Sequence, residues 1–117
     1  MKTRIETTQF DETVAFYTEL VGLTVIETWD EGADRGAILG LGDSKSGQAF
    51  LELAPTALPK SNKSVSLQFR VSDIDAVAER LRDRWSFRGP EQRPWGSTYL
   101  YLTDPAGVRV ILYEGEL

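Results

Sequence analysis

The sequence lacks both histidine and cysteine throughout its 117 residues. These absences exclude thiol nucleophiles, disulfide bonds, thiolate metal sites, imidazole acid–base catalysis and any triad that needs histidine. Long apolar runs are also missing, since no stretch approaches the roughly 18–20 apolar residues of a membrane span. The N-terminal segment MKTRIETTQFDE has no apolar core of the kind found in signal peptides. We therefore expect a cytoplasmic protein with no membrane partner.

Basic residues are the scarcer charged class, with 13 Lys and Arg against 18 Asp and Glu and a net charge of −5. This balance argues against nucleic acid as a partner and favours cationic ligands. The length suits one domain, because domains cluster near about 100–150 residues. We accordingly assign residues 1–117 to a single domain.

The second half of the chain opens with residues 65–71, in which apolar and polar side chains alternate. Alternation with a period of two predicts a half-buried strand. A helix is predicted over 73–84 from apolar residues at helical spacing, with Ser72 and Asp75 as its capping box. The remaining strands are predicted near 86–88, at 98–103 and at 108–114.

The first half repeats this order more faintly. A poor strand at 2–8 precedes a helix that Asp11 can cap and that Gly22 can end in a left-handed conformation. The strands that follow are predicted at 23–29, 36–41 and 48–53. Each half thus reads β-α-β-β-β, which predicts an α+β fold of two modules that share one core, since neither half is large enough for a secure core of its own. The first module is placed at 1–54, the linker at 55–63 and the second module at 64–117.

Short phrases spread over nearly the whole chain follow a shared order and spacing. They are Ala15-Phe16-Tyr17-Thr18-Glu19-Leu20-Val21-Gly22-Leu23, Phe50-Leu51-Glu52-Leu53, Phe69-Arg70-Val71-Ser72-Asp73-Ile74-Asp75, Gly89-Pro90, Pro94-Trp95-Gly96 and Asp104-Pro105-Ala106-Gly107. With the duplicated pattern, they resemble the vicinal oxygen chelate superfamily, which includes glyoxalase I, extradiol dioxygenases and the fosfomycin- and bleomycin-resistance proteins. The resemblance implies U-shaped antiparallel or mixed sheets around a cavity, helices on the outside, and a homodimer.

The alternation of side chains predicts which residues face that cavity, because successive strand residues point to opposite faces. The resemblance adds Trp95 to the predicted site, since the segment before the seventh strand carries a tryptophan that stacks on the ligand in bleomycin-resistance proteins. The predicted ligand-binding residues are Phe50, Glu52, Gln68, Arg70, Trp95, Tyr99, Tyr101, Arg109 and Tyr113. An aromatic-rich concave wall with few polar groups is typical of small-ligand sites.

The resemblance also implies four metal-ligating positions, which fall by spacing on Lys2, Glu52, Ser66 and Ile111. Only Glu52 is a normal ligand, and one carboxylate cannot hold a catalytic divalent ion. A shifted alignment offers Glu52, Gln68 and Glu114, but parity places Glu114 on the helix side of its strand. We therefore expect no metal and no other cofactor, and no catalytic residues are assigned.

Within the superfamily, the metal-free bleomycin-resistance proteins match this sequence best in length and in these short motifs. It implies a metal-independent binding protein that sequesters an aromatic or cationic compound such as an antibiotic, and performs no chemistry. Two alternatives stay open: a divergent lyase, isomerase or dioxygenase of the same superfamily, and a dimeric scaffold whose cavity has closed. Stoichiometric metal in purified protein would favour the enzyme.

Several predicted site residues admit two interpretations each. Tyr99 and Tyr101 either stack on a ligand or make ordinary cross-strand packing contacts with their hydroxyls at the rim. Glu52 lies between apolar neighbours, so its carboxylate needs a partner. That partner is either Arg70 or Arg109 in an ion pair, or a cationic group of the ligand. The two arginines could equally bind a carboxylate or phosphate. Trp95 is either a ligand platform or a turn residue that covers the edge of the sheet.

Overall fold

The computed structural model describes residues 1–41, 47, 49–59 and 61–117. The chain divides into two compact units, Met1–Lys60 and Ser61–Leu117, whose boundary falls inside the predicted linker 55–63. Lys60 in that linker and Gln48 at the start of the predicted strand 48–53 lie outside the described residues. Each unit contains one four-stranded sheet.

The first unit consists of four strands, one short helix and a π-helical turn that continues the helix. Its elements are β1 (Lys2–Thr7), α1 (Phe10–Ala15), the π-helical turn Phe16–Val21, β2 (Thr24–Glu31), β3 (Asp34–Gly40) and β4 (Phe50–Pro55). The strand order is β1-β4-β3-β2. β1 runs parallel to β4, and the other two pairings are antiparallel.

The second unit repeats this plan. Its elements are β5 (Ser66–Arg70), α2 (Ile74–Leu81), β6 (Arg88–Gln92), β7 (Thr98–Thr103) and β8 (Arg109–Glu114). The order is β5-β8-β7-β6, with β5 parallel to β8 and the other pairs antiparallel. The predicted α+β fold of two tandem β-α-β-β-β modules with mixed sheets is confirmed.

α2 forms because its apolar residues recur on one face. Ile74, Val77, Ala78 and Leu81 are all buried. The predicted cap is wrong: Asp73 is the N-cap, and its carboxylate accepts a hydrogen bond from the Ala76 backbone N–H at 3.0 Å. The helix also ends earlier than predicted, at Leu81.

α1 begins at Phe10, so the predicted cap Asp11 lies inside the first turn instead of ahead of it. Gln9 occupies the N-cap, and the buried Thr13 hydroxyl donates to the Gln9 carbonyl at 2.6 Å. The predicted end of this helical segment is confirmed, because Gly22 is left-handed with φ of 97°. Glycine adopts that conformation without the steric cost that a Cβ imposes.

One face of each sheet is apolar and packs under the helix of its unit. In the first unit this face contains Ile5, Leu39, Leu51 and Leu53. In the second it contains Leu100, Leu102, Val110 and Leu112, all buried. The strand predicted near 86–88 forms later, as β6, in a region where Gly89-Pro90 coincides with a register shift against β7. In the part of the chain that the structure describes, no helix is long and apolar enough to cross a membrane.

Candidate functional site

The second sheet places six of the predicted site residues on the face opposite its apolar one. Cross-strand register aligns Arg70 with Tyr113 and Tyr113 with Tyr99, in one row across the sheet. A second row aligns Gln68, Ile111 and Tyr101, and a third contains Arg109. We call this surface the tyrosine face; its predicted members are Gln68, Arg70, Tyr99, Tyr101, Arg109 and Tyr113.

Four aromatic rings meet on the tyrosine face, with Tyr99 at their centre. The Tyr99 ring centroid lies 5.6 Å from that of Trp95 and 5.9 Å from those of Tyr101 and Tyr113. The Trp95 contact is edge-to-face, with an interplanar angle of 77°. Such pairs contribute about 0.5–1.5 kcal/mol beyond the area they bury. The rings therefore hold one another in place without a ligand.

Trp95 reaches this cluster from a tight turn between β6 and β7. The Gly96 N–H donates to the Arg93 carbonyl at 3.1 Å, and the Arg93 N–H donates to the Ser97 carbonyl at 2.7 Å. Gly96 has φ of 95°, which a residue with a side chain rarely adopts. The turn leaves Trp95 48% exposed, while Tyr113 in the same cluster is only 8% exposed. Trp95 thus has both a fixed position and an open surface.

Each outer ring of the cluster also contacts a guanidinium. Arg70 lies 5.8 Å from the Tyr113 centroid, Arg88 lies 4.1 Å from that of Tyr101, and Arg93 lies 5.0 Å from that of Trp95. These are cation–π distances. Sequence reasoning missed Arg88 and Arg93, because the short strand predicted near 86–88 has no alternation to indicate which way Arg88 faces, and Arg93 lies in no predicted strand.

Glu91 is the carboxylate of this surface. Its carboxylate lies 2.8 Å from Arg88 Nη1 and 3.9 Å from Arg93 Nη1. Within residues 61–117, no carboxylate lies within ion-pair distance of Arg70 or Arg109. The Arg93 Nε is buried and has no hydrogen-bond acceptor among those same residues.

Two depressions of the second unit adjoin the tyrosine face. The smaller, of about 230 Å³, is lined in part by Arg88, Tyr101, Arg109 and Ile111. The larger, of about 780 Å³, shares Arg88, Tyr101, Leu102 and Thr103 with it, but its other walls come from residues 83–87. The larger volume reflects the open groove next to Trp85, where the aromatic cluster contributes only one ring.

Phe50 and Glu52, the other two predicted site residues, belong to the first unit. They lie on the face of β4 opposite Leu51 and Leu53. Phe50 covers Gly40, where a Cβ would approach its ring to 3.2 Å. It lines a depression of about 170 Å³ together with Lys2, Ile26, Glu27 and Ile38.

Glu52 has its ion partners within the first unit. Lys2 Nζ lies 3.0 Å from one carboxylate oxygen, and the Arg4 guanidinium donates a hydrogen bond to the other. The predicted ion pair of Glu52 with Arg70 or Arg109 is wrong, because the parallel pairing of β1 with β4 places Arg4 directly opposite Glu52. The hydrogen bond from Lys2, and then that from Arg4, lowers the pKa of Glu52 against the opposing effect of burial.

The four positions that would hold the superfamily's metal do not fit one. Lys2 presents an ammonium that is paired with Glu52, Ser66 is an exposed hydroxyl and Ile111 is a hydrocarbon. Glu114, the alternative, accepts a hydrogen bond from the Ile74 N–H at 2.9 Å and so lies on the helix side, as predicted. The described part of the chain contains no group of three acidic side chains placed to share an ion.

The fold of the whole chain is similar to those of several proteins of known structure. The chain is similar to TnmS3, an antibiotic binding protein from Streptomyces sp. CB03234, with 22% identity and a TM-score of 0.75 over 98% of this chain and 93% of that one. It is similar to lactoylglutathione lyase from Agrobacterium tumefaciens, with 21% identity and a TM-score of 0.69 over 98% and 92%. At these identities the likeness shows the fold alone.

A family model provides the assignment that the structural likeness cannot. The model for Glyoxalase/Bleomycin resistance protein/Dioxygenase superfamily matches residues 3–112. A search of curated protein sequences gives no match. Because the matched residues include both units, from β1 into β8, the family covers nearly the whole chain. The chain belongs to the Glyoxalase/Bleomycin resistance protein/Dioxygenase superfamily.

Proposed function

We propose that the chain is a metal-independent protein that binds and sequesters a small aromatic compound on the tyrosine face. The observation that supports this function is the four-ring cluster, in which Tyr99 contacts Trp95, Tyr101 and Tyr113. The homodimer and the lack of nucleic-acid and membrane partners stay predictions.

The cluster is suited to a planar ligand because its parts are already ordered. Aromatic side chains have few rotatable bonds, and a pre-ordered surface loses little entropy when a ligand binds. Trp95 offers open ring surface, whereas Tyr113 is buried and contacts Tyr99. A ligand ring can therefore add to an existing set of one edge-to-face and two tilted ring contacts.

Binding without a metal is supported by the donor set. Glu52 is the single carboxylate among the four implied ligand positions, and its charge is compensated by Lys2 and Arg4. A divalent ion would have to displace an ammonium to reach it, and would still lack about two further protein ligands. The antibiotic binding role printed for TnmS3 is compatible with this proposal.

The test uses 2-naphthalenemethanol, a neutral two-ring probe, and isothermal calorimetry. We expect wild-type protein to bind it, and Trp95→Ala to weaken binding roughly three- to tenfold, as expected for one lost aromatic contact. Trp29→Phe is the matched control. Its indole donates to Asp34 in the first unit, 2.9 Å away, so its loss should leave the affinity unchanged.

Two results would contradict the proposal. If Trp95→Ala binds the probe as wild type does, the ring cluster is not the binding surface. If elemental analysis of purified protein finds a stoichiometric divalent metal, the binding is not metal-independent and the enzyme alternative gains support.

A further inference from the structure

The tyrosine face is positively charged, although the whole chain has a net charge of −5. Arg70, Arg88, Arg93 and Arg109 surround the rings or share their face, and Glu91 is the carboxylate found among them. The surface thus has a surplus of three positive charges. Charges beyond about 8–10 Å are screened at physiological salt, so the local surplus governs a bound ligand more than the total does.

Arg70 is the arginine best placed to meet a ligand. Arg88 and Arg93 share Glu91, whereas Arg70 has no carboxylate within ion-pair distance in residues 61–117. It is exposed, and its guanidinium lies over the ring of Tyr113, one ring away from Tyr99. The Arg70 guanidinium is thus a charged hydrogen-bond donor that lies beside the aromatic rings and is accessible to a ligand.

A cationic ligand is disfavoured at the same place. Cation–π attraction draws a positive group to the face of a ring, but the outer rings Tyr101, Tyr113 and Trp95 each have a guanidinium there already. A further cation would meet like charges on three sides. An anion would meet a guanidinium, whose planar fork matches a carboxylate with two parallel hydrogen bonds.

We propose that the ligand of the tyrosine face is a planar aromatic anion. Its ring lies against Trp95 and Tyr99, and its carboxylate, or another small oxyanion, pairs with the Arg70 guanidinium. This inference rests on the proposed function and narrows the class of ligand. The sequence predicts an aromatic or cationic compound, whereas the tyrosine face favours an aromatic acid.

The experiment compares four probes by isothermal calorimetry: 2-naphthoate, 2-naphthalenemethanol, 2-naphthylmethylammonium and cyclohexanecarboxylate. The first three share a ring and differ in charge, and the fourth has the charge without the aromatic ring. We expect 2-naphthoate to bind about tenfold or more tightly than the neutral probe, the usual effect of a hydrogen bond to a charged group. 2-Naphthylmethylammonium should bind more weakly than the neutral probe 2-naphthalenemethanol. Cyclohexanecarboxylate should bind more weakly than 2-naphthoate.

Variants then locate the charge effect. Arg70→Gln should bring 2-naphthoate to the affinity of 2-naphthalenemethanol while leaving the neutral probe unchanged, and Arg70→Lys should restore only part of the difference. Arg82→Gln is the control, since Arg82 pairs with Glu79 on the exposed side of α2. Circular dichroism spectra equal to wild type establish that the variants fold.

The outcomes separate this inference from the function on which it rests. If none of the naphthalene probes binds, the proposed function fails. If the neutral probe binds but the ammonium binds as well as 2-naphthoate or better, the proposed aromatic binding surface is supported and the proposal of an anionic ligand is wrong. If the preference for 2-naphthoate survives in Arg70→Gln, the charge recognition does not belong to Arg70. Equal binding of cyclohexanecarboxylate and 2-naphthoate would remove the aromatic part of the inference.

Discussion

Glu52 shows how a single buried carboxylate can be compensated by its own unit. The Glu52 side chain is only 11% exposed, yet Lys2 and Arg4 neutralise its charge from the neighbouring strand. Both cationic side chains are about half exposed to water, so the pair is screened more than a fully buried one. Its effect on stability is correspondingly intermediate.

We expect Glu52→Gln to destabilise the protein by about 1–2 kcal/mol at pH 7, after allowance for that exposure. The folded-state pKa of Glu52 is lowered from its ordinary value of 4.5. The stability due to its charge is therefore fully present above pH 4.5 and is lost as the pH falls through the folded-state value. Urea unfolding curves of the two proteins should differ at pH 7 and converge in acid.

Glu79→Gln is the control for this measurement. Glu79 is exposed and pairs with Arg82 on the surface of α2, so its removal should change the free energy of unfolding by less than about 1 kcal/mol. A difference between Glu52→Gln and wild type that stays constant down to pH 2 would show that the ionised carboxylate is not what stabilises the fold.

The identity of the partners of Glu52 could not be predicted from sequence. The apolar neighbours Leu51 and Leu53 correctly indicate burial of the carboxylate. Its partners depend on which strand lies beside β4 and in which register, and β1 has a single aliphatic residue, Ile5, to indicate that it is a strand at all. Long-range register is not encoded in a local pattern.

At the scale of elements, α2 provides a matched pair of capping variants. Asp73→Ala removes the acceptor of the Ala76 N–H and should cost about 1 kcal/mol of stability, the usual effect of a lost N-cap. Ser72→Ala, one residue earlier, should change stability by a few tenths of a kcal/mol at most, as is usual for a surface substitution. Thermal unfolding of both variants measures the difference, and a larger loss of stability in Ser72→Ala than in Asp73→Ala would identify Ser72 as the cap.

Strands were predictable where alternation is clear and uncertain where it is not. Residues 65–71 alternate, and β5 and the orientation of Gln68 and Arg70 follow from that pattern. β6 was misplaced because Gly89 and Pro90 are poor strand residues by propensity. They are tolerated here because β6 is an edge strand and the register shifts around them. The π-helical turn Phe16–Val21 has no sequence signal that distinguishes it from an α-helix.

At the scale of the whole molecule, the prediction of one domain with a shared core can be tested by cooperativity. Each unit has about half of the chain, and domains of roughly 60 residues are marginal alone. We therefore expect one thermal transition, shifted to lower temperature both by Glu52→Gln in the first unit and by Asp73→Ala in the second. Two transitions in calorimetry, each moved by only one variant, would mean that the units fold independently.

The parallel pairing of the first and last strands of each unit determines the order in which the chain can fold during synthesis. β2, β3 and β4 pair with their neighbours in sequence, and so do β6, β7 and β8. β5 must wait for β8, because Arg70 pairs with Tyr113 across 43 residues of chain. Local contacts form before distant ones. The Arg70 guanidinium therefore joins the aromatic cluster only after β8 has been synthesised and has left the ribosome. We accordingly expect a nascent chain that lacks β8 not to bind the aromatic anion proposed above.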